Sequence, residues 1–177
     1  MDGEEDDRIV SGIRAALDDA ANRLTAGGAR DEALARFEPS RQVLLITRKA
    51  RMIPLGRAWR LGVFLLARDG TLHATGSITR AVAPGHPGYQ SASAENRREH
   101  RAAAFRGPFE RGEPVNFDAA VIELDAVSLR ASRGPLFLRD DAPLVRWSPS
   151  AGEDTAVPFG PYLEDRISLL LNPPEGA

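Results

Sequence analysis

The sequence predicts an α+β fold with a mostly antiparallel sheet of about five to six strands. β-prone runs follow one another in groups instead of alternating singly with helical stretches, which favours antiparallel pairing. Asp69-Gly70 lies between two such runs and is typical of a hairpin turn, because glycine readily adopts positive φ. Helical periodicity is found at the two ends of the chain and in one central segment.

The first helical segment has a clear apolar stripe. Apolar residues recur there at helical spacing: Ile9, Ile13, Leu17, Ala20 and Leu24. We therefore expect a helix over about residues 6–26, which Gly27-Gly28 ends. A second, shorter helix is expected to begin with Asp31 as its cap and to end before Pro39. The two would form an N-terminal helical hairpin over residues 1–38.

The central part of the chain has strong β signals. Residues 43–47 form a continuous β-prone run, as expected of a strand buried on both faces. Residues 59–67 and 71–80 are the two arms expected on either side of the Asp-Gly turn, and the second arm alternates apolar and polar residues. An irregular loop over residues 82–92 should lead into a middle helix over residues 93–105.

The C-terminal third is expected to return to the sheet and then to end in a helix. Moderate alternation over residues 115–124 and short β-prone runs at 135–139 and 144–147 predict further strands. A polar linker over residues 148–158 precedes a helix in which Pro161 occupies an early position. The apolar stripe of that helix comprises Leu163, Ile167, Leu170 and Leu171. At 177 residues, the whole chain is expected to form a single α+β domain.

Composition excludes several classes of site. The sequence contains no cysteine, which rules out disulfides, cysteine-ligated metals and cysteine nucleophiles. Residues 2–7 are mostly acidic where a secretory signal would be basic, and no apolar run approaches the length that spans a bilayer. These features predict a cytoplasmic protein that has no contact with membranes.

Familiar catalytic motifs are absent as well. There is no P-loop, no Gly-x-Gly-x-x-Gly after a strand and no Gly-x-Ser-x-Gly elbow. Ser-x-x-Lys is excluded because Lys49 is the only lysine and Ile46 lies three residues before it. The histidines at 73, 86 and 100 are too widely spaced to suggest a metal site. We therefore assign no catalytic residue, metal or cofactor from the sequence.

Charge is distributed unevenly along the chain. Residues 1–40 carry 5 basic and 10 acidic groups, residues 41–111 carry 13 and 4, and residues 112–177 carry 5 and 11. All but one of the basic residues are arginine, whose planar guanidinium binds phosphates and carboxylates through paired hydrogen bonds. The basic centre therefore suggests an anion-binding surface. The predicted ligand-binding residues are Arg48, Arg51, Arg57, Arg60, Arg97 and Arg101.

Two interpretations of this basic centre remain open. In the first, it binds an anionic small molecule or an acidic protein; nucleic acid is not favoured, since the net charge of the chain is −2. In the second, the acidic end segments fold back and neutralise it through ordinary surface ion pairs, each of which contributes little.

Four segments of the chain carry a resemblance to known sequences. Two lie around the first tryptophan, Pro54-Leu55-Gly56-Arg57-Ala58-Trp59-Arg60-Leu61-Gly62-Val63 and Thr71-Leu72-His73-Ala74-Thr75-Gly76, and two lie in the C-terminal third, Val145-Arg146-Trp147-Ser148-Pro149 and Asn172-Pro173-Pro174-Glu175-Gly176. In these segments the chain resembles a small, uncharacterised family from GC-rich Gram-positive bacteria, whose members sometimes carry a glutaminase label by automated transfer. Serine glutaminases are much longer and use Ser-x-x-Lys, and amidotransferase glutaminases use cysteine. Neither arrangement occurs here, so no catalytic residue is carried over.

Two alternative functions follow from these observations. A small amide hydrolase would need His73, together with Ser77 or Thr75 and a carboxylate from the Glu95–Glu99 helix, in one pocket. A dimerising structural module would use the apolar face of the last helix as the interface of a homodimer.

Overall fold

The computed structural model describes residues 2–43, 46–84, 91–148 and 152–174. Four α-helices and eleven strands form within these ranges, together with a 3-10 helix at Glu153–Thr155. The helices are α1 (Asp2–Ala26), α2 (Ala92–Arg106), α3 (Ala126–Ala131) and α4 (Phe159–Leu171). The strands are β1 (Glu32–Glu38), β2 (Arg41–Val43), β3 (Ile46–Arg48), β4 (Arg51–Leu61), β5 (Phe64–Ala67), β6 (Leu72–Ala74), β7 (Ser77–Arg80), β8 (Pro114–Phe117), β9 (Leu136–Arg139), β10 (Ala142–Val145) and β11 (Val157–Pro158).

The predicted fold class is confirmed. Six strands form a mixed sheet in the order β6-β5-β4-β1-β8-β7, in which β1 pairs antiparallel with β4 and parallel with β8. The pairs β5–β6 and β7–β8 are antiparallel. A three-stranded sheet, β11-β10-β9, and the β2–β3 hairpin complete the β structure of the described residues.

The chain divides into two compact units. Unit 1 comprises Met1–Asp31, Trp59–Ala74 and Ala120–Ala177, and unit 2 comprises Glu32–Ala58 and Thr75–Ala119. The expectation of a single domain stays a prediction, and each unit is described below by itself.

Unit 1 has a core of helix stripes and aliphatic strand residues. The α1 stripe is confirmed: Ile13, Leu17, Ala20 and Leu24 are buried. From α4, Phe159, Leu163 and Ile167 enter the same cluster as Phe64. Of the apolar stripe that suggested a dimer interface, Leu163 and Ile167 are buried in this core, whereas Leu170 and Leu171 are half-buried against it, and the homodimer stays a prediction.

Unit 2 has a smaller core between its strands and α2. Ala103 and Ala104 of α2 are buried with strand residues that include Met52, Val115 and Phe117. His100 of the same helix packs between two rings, with centroid distances of 4.5 Å to Phe37 and 4.7 Å to Phe117. The predicted middle helix is thus confirmed, and its apolar side is fixed on the sheet.

The predicted N-terminal helical hairpin is wrong. Residues 32–38 form strand β1, in which the three consecutive residues Ala33, Leu34 and Ala35 are all buried. Alanine, leucine and glutamate have good helix propensity, but hydrogen bonding to strands on both edges outweighs that preference. Such continuous burial hides the alternation by which an exposed strand would be recognised.

Three expected strands also need correction. The run at 43–47 contributes instead to two short strands, β2 and β3, with Leu44 and Leu45 outside the described residues. The arm at 59–67 turns at Gly62-Val63 between β4 and β5, and the arm at 71–80 is split into β6 and β7. At Gly76 the backbone of Phe117 and Asp118 approaches so closely that a Cβ has no room.

The remaining C-terminal elements agree only in part with the sequence pattern. Strand β8 ends at Phe117, and α3 follows instead of a strand running to residue 124. Strands β9 and β10 confirm the two short β-prone runs. The expected polar linker contains the 3-10 helix and β11, which pairs with β10. Residues 85–90 of the expected loop lie outside the described residues.

The same substitution should have opposite effects at two glycines of unit 1. Gly62 has φ of 67°, and a Cβ there would overlap the Tyr162 hydroxyl, which accepts a hydrogen bond from the Val63 amide. Gly62→Ala should therefore lower the free energy of unfolding by at least about 1–2 kcal/mol. Gly12 lies inside α1 with open space at its Cβ position, so Gly12→Ala should raise the free energy of unfolding by about 0.5–1 kcal/mol.

Urea unfolding of the two variants and of the unmodified protein checks this pair. An unchanged or higher midpoint for Gly62→Ala would contradict the tight turn between β4 and β5.

Candidate anion-binding site

The β2–β3 hairpin places two arginines directly opposite each other. In the antiparallel register, Arg41 pairs with Arg48 across the strands, and both side chains are exposed. Like charges in directly opposed positions destabilise a two-stranded ribbon. Lys49 follows the hairpin and Arg51 begins β4, so four cations occur within eleven residues.

These four cations line a cleft of about 450 Å³ in unit 2. Its remaining lining residues are Glu38 and Pro39. Glu38 is positioned by the β1–β4 register, which pairs it with Arg51. Pro39 and Ser40 then separate β1 from β2, so the hairpin begins next to the end of the central strand.

Among the described residues, the one carboxylate that lines this cleft is already paired. Arg51 Nε donates to Glu38 Oε2 at 2.7 Å, and Arg36 lies 3.4 Å from Glu38 Oε1. The Arg51 hydrogen bond is the main cause that lowers the pKa of Glu38, and the charges of Arg51, Arg36 and Arg41 add to it against the opposing effect of desolvation. Among the described residues, Arg41, Arg48 and Lys49 have no ion-pair partner.

A second cleft of about 570 Å³ adjoins the first, because Lys49 lines both. Its walls are the residues around β3 and one side of α2. The charged and hydroxyl side chains that line it are Ser40, Thr47, Lys49, Glu95, Arg98, Glu99 and Arg106. This cleft therefore has mixed charge, whereas the first is strongly positive.

The structure brings together two of the six arginines predicted from the sequence. Arg48 and Arg51 line the first cleft. Arg57 Nη1 donates instead to Glu113 Oε1 at 2.6 Å, and the Glu113 side chain is only 9% exposed, so this pair is part of the framework of unit 2. Arg60 belongs to unit 1 and is half-buried.

The two arginines predicted on the middle helix lie elsewhere. Arg97 and Arg101 are exposed on α2 and are not among the residues that line either cleft. Sequence reasoning missed Arg41 and Lys49 as site residues. Arg41 could have been found by recognising a hairpin whose register places it opposite Arg48. The sequence pattern instead predicts one continuous strand at 43–47, in which Arg41 and Arg48 do not face each other.

The residues suggested for an amide hydrolase are not joined by any hydrogen bond in the described contacts. His73 is buried on β6 in unit 1, and its Nδ1 has no hydrogen-bond partner among the described residues. In unit 2, Glu99 accepts a hydrogen bond from Ser40 and Glu95 pairs with Arg98. Hydrogen bonds from Thr71 are the main cause that lowers the pKa of Asp69, and a smaller electrostatic contribution comes from His73. The hydrolase hypothesis gains no support from these contacts.

The described residues contain neither a candidate metal cluster nor a candidate membrane span. No group of three or more histidine, aspartate or glutamate side chains there is arranged to hold a metal ion. Within the same ranges, no helix combines the length and apolar character needed to cross a membrane.

Comparison with known proteins gives no relative from which a function could be transferred. No protein-family model matches the chain, and no match was found among curated proteins or among solved structures. The candidate site is therefore argued from its own geometry.

The contribution of the Glu38–Arg51 ion pair to folding should appear in how the free energy of unfolding depends on pH. The folded pKa of Glu38 lies below its ordinary value of 4.5, so the stability that the pair contributes is present above that value and is lost as the pH falls through the lower folded pKa. Glu38→Gln removes this contribution. The unfolding free energy of the unmodified protein should consequently fall more steeply on acidification than that of the variant.

Urea unfolding between about pH 6 and pH 3 measures both slopes. Glu110→Gln is the matched control, because Glu110 is exposed and its side chain makes no ion pair within the described residues. Identical slopes for Glu38→Gln and the unmodified protein would show that the pair contributes nothing to folding.

Proposed function

We propose that unit 2 is a binding module, without catalytic activity, for a small anion that carries two or more negative charges. The observation that carries this proposal is the cross-strand pair of Arg41 and Arg48, which faces a cleft whose only carboxylate is already bound by Arg51. A bound anion converts a repulsive arrangement of cations into a set of charge-assisted hydrogen bonds.

The chemistry of the lining residues favours phosphate or carboxylate groups as ligands. Two guanidinium groups offer planar pairs of N–H donors, and Lys49 adds a compact positive charge. A cleft of about 450 Å³ is within the size range of small-molecule sites. Four of the six described residues that line it are cationic, so we expect recognition to depend mainly on charge.

The charge of unit 2 argues against complete neutralisation within the module. Its sequence ranges carry 12 basic and 7 acidic residues, a net charge of +5, whereas those of unit 1 carry 11 and 18, a net charge of −7. An excess of positive charge within unit 2 raises the local concentration of anions and accelerates their association. An acidic protein segment is the alternative ligand for the same residues. A cytoplasmic location is part of the proposal, and a sequence without cysteine is compatible with a reducing compartment.

Removing the cross-strand pair should abolish most of the binding. Arg41→Gln with Arg48→Gln should weaken tripolyphosphate binding by about tenfold or more, since each lost charge-assisted contact is worth about 1.5–3 kcal/mol. Isothermal titration calorimetry at low and moderate salt measures the effect, and affinity should fall with salt. The double variant should fold at least as stably as the parent, because a repulsive pair has been removed.

Arg97→Gln with Arg101→Gln is the matched control. It removes the same charge from unit 2 at exposed positions outside both clefts. Equal weakening by the two double variants would mean that tripolyphosphate responds to net charge alone and would contradict a site at the hairpin. Binding of an acidic peptide but not of tripolyphosphate would favour the protein partner.

A further inference from the structure

The second cleft of unit 2 contains two opposite charges that do not pair with each other. Lys49 enters it from the segment that follows β3, and Glu99 enters it from α2. Neither side chain forms an ion pair within the described residues. Both are therefore left to water or to a ligand in a cavity of about 570 Å³.

The other charged groups of this cleft are already engaged. Arg98 Nη2 contacts Glu95 Oε1 at 3.1 Å, one turn apart on α2. Arg106 donates to the backbone carbonyl of Ala50. Among the described residues, these contacts leave Lys49 as the lining cation that donates to no protein acceptor and Glu99 as the carboxylate without a cationic partner.

Glu99 is held in place by a neutral donor. Ser40 Oγ donates to Glu99 Oε1 at 3.1 Å, across 59 residues of sequence. This hydrogen bond orients the carboxylate but does not neutralise it, so Glu99 Oε2 retains its capacity to accept from an ammonium group.

We propose that this second cleft binds a small zwitterion, whose ammonium group contacts Glu99 and whose carboxylate or phosphate group contacts Lys49. A ligand with both charges compensates both side chains at once, whereas a simple anion or a simple amine leaves one of them unpaired. Thr47 lines the same cleft and offers a hydroxyl to either end of the ligand. The inference goes beyond the proposed anion site, with which it shares Lys49, and its second contact, Glu99, does not line the first cleft.

Graded ω-amino acids test the proposal and also measure the separation of the two charges. Glycine, 4-aminobutyrate and 6-aminohexanoate are titrated into the full chain and followed by calorimetry or by NMR chemical shifts, beside butyrate and butylammonium. At least one zwitterion should bind about tenfold more tightly than either singly charged analogue. Equal affinity of butyrate and of every zwitterion would overturn the proposal.

Variants of the two charged side chains assign the contacts. Glu99→Gln should reduce the affinity of the preferred zwitterion to that of butyrate, whereas Glu110→Gln, at an exposed position outside the cleft, should leave it unchanged. Lys49→Gln should weaken butyrate and the zwitterion together, with butylammonium unaffected. Lys49 is exposed, so this variant provides a second test that does not depend on the Ser40–Glu99 contact.

The two proposals fail in different ways. Arg41→Gln with Arg48→Gln should weaken tripolyphosphate binding by about tenfold or more, while the preference for the zwitterion remains. Glu99→Gln should remove the preference for the zwitterion and leave tripolyphosphate binding unchanged. An unchanged zwitterion preference in Glu99→Gln would overturn the second site without touching the first.

Discussion

Pairing of β1 on both of its edges is the constraint on which unit 2 depends. The strand hydrogen bonds antiparallel to β4 and parallel to β8, and its central residues are buried. That register sets Glu38 opposite Arg51 at the end of the strand. The β2–β3 hairpin begins three residues beyond this ion pair, so the position of the cationic cleft follows from how β1 is placed in the sheet.

The basic residues of unit 2 between β2 and β4 fall into two groups, according to whether they pair with a carboxylate. Arg51 and Arg57 bind carboxylates of neighbouring strands or loops, Glu38 and Glu113, and so contribute to the framework of unit 2. Arg41, Arg48 and Lys49 stand outside such pairs among the described residues. Exposed like charges opposite each other on a short hairpin cost folding free energy, and under our proposal a bound anion offsets that cost.

The two clefts of unit 2 differ in what they leave uncompensated. The first exposes several cations around a carboxylate that is already paired, which is why we propose an anion as its ligand. Among the described residues, the second leaves Lys49 without a protein acceptor and Glu99 without a cationic partner, with Glu99 oriented by Ser40. Lys49 belongs to both linings, so occupation of one cleft by an anionic group changes the electrostatic environment of the other.

The sequence carried the signals of amphipathic helices well and those of short or fully buried strands poorly. Helix α1 could be predicted because its apolar stripe recurs at helical spacing from Ile9 to Leu24, and α2 because glycine and proline follow it. Strand β1 could not, since Ala33, Leu34 and Ala35 are buried on both faces and show no alternation. The run at 43–47 has the pattern of one continuous strand, and this pattern conceals the register that pairs Arg41 with Arg48.

The candidate site, too, could be predicted from the sequence only in part. The basic character of residues 41–51 was evident from the sequence, and Arg48 and Arg51 were named from it. Which arginines are engaged depends on partners far away in the chain, as Glu113 is for Arg57, and no local pattern reveals such partners. The oriented carboxylate of Glu99 likewise depends on a contact between residues 40 and 99.

Mapping of tripolyphosphate binding by ¹H–¹⁵N NMR tests the central claim most directly. Our account predicts saturable shifts that are largest for the backbone amides of residues 41–43 and 46–51 and for the Nε–Hε groups of Arg41 and Arg48. Shifts that are spread evenly over the exposed arginines of α2 and of unit 1, or that never saturate, would contradict a site at the hairpin and would indicate non-specific attraction to positive charge.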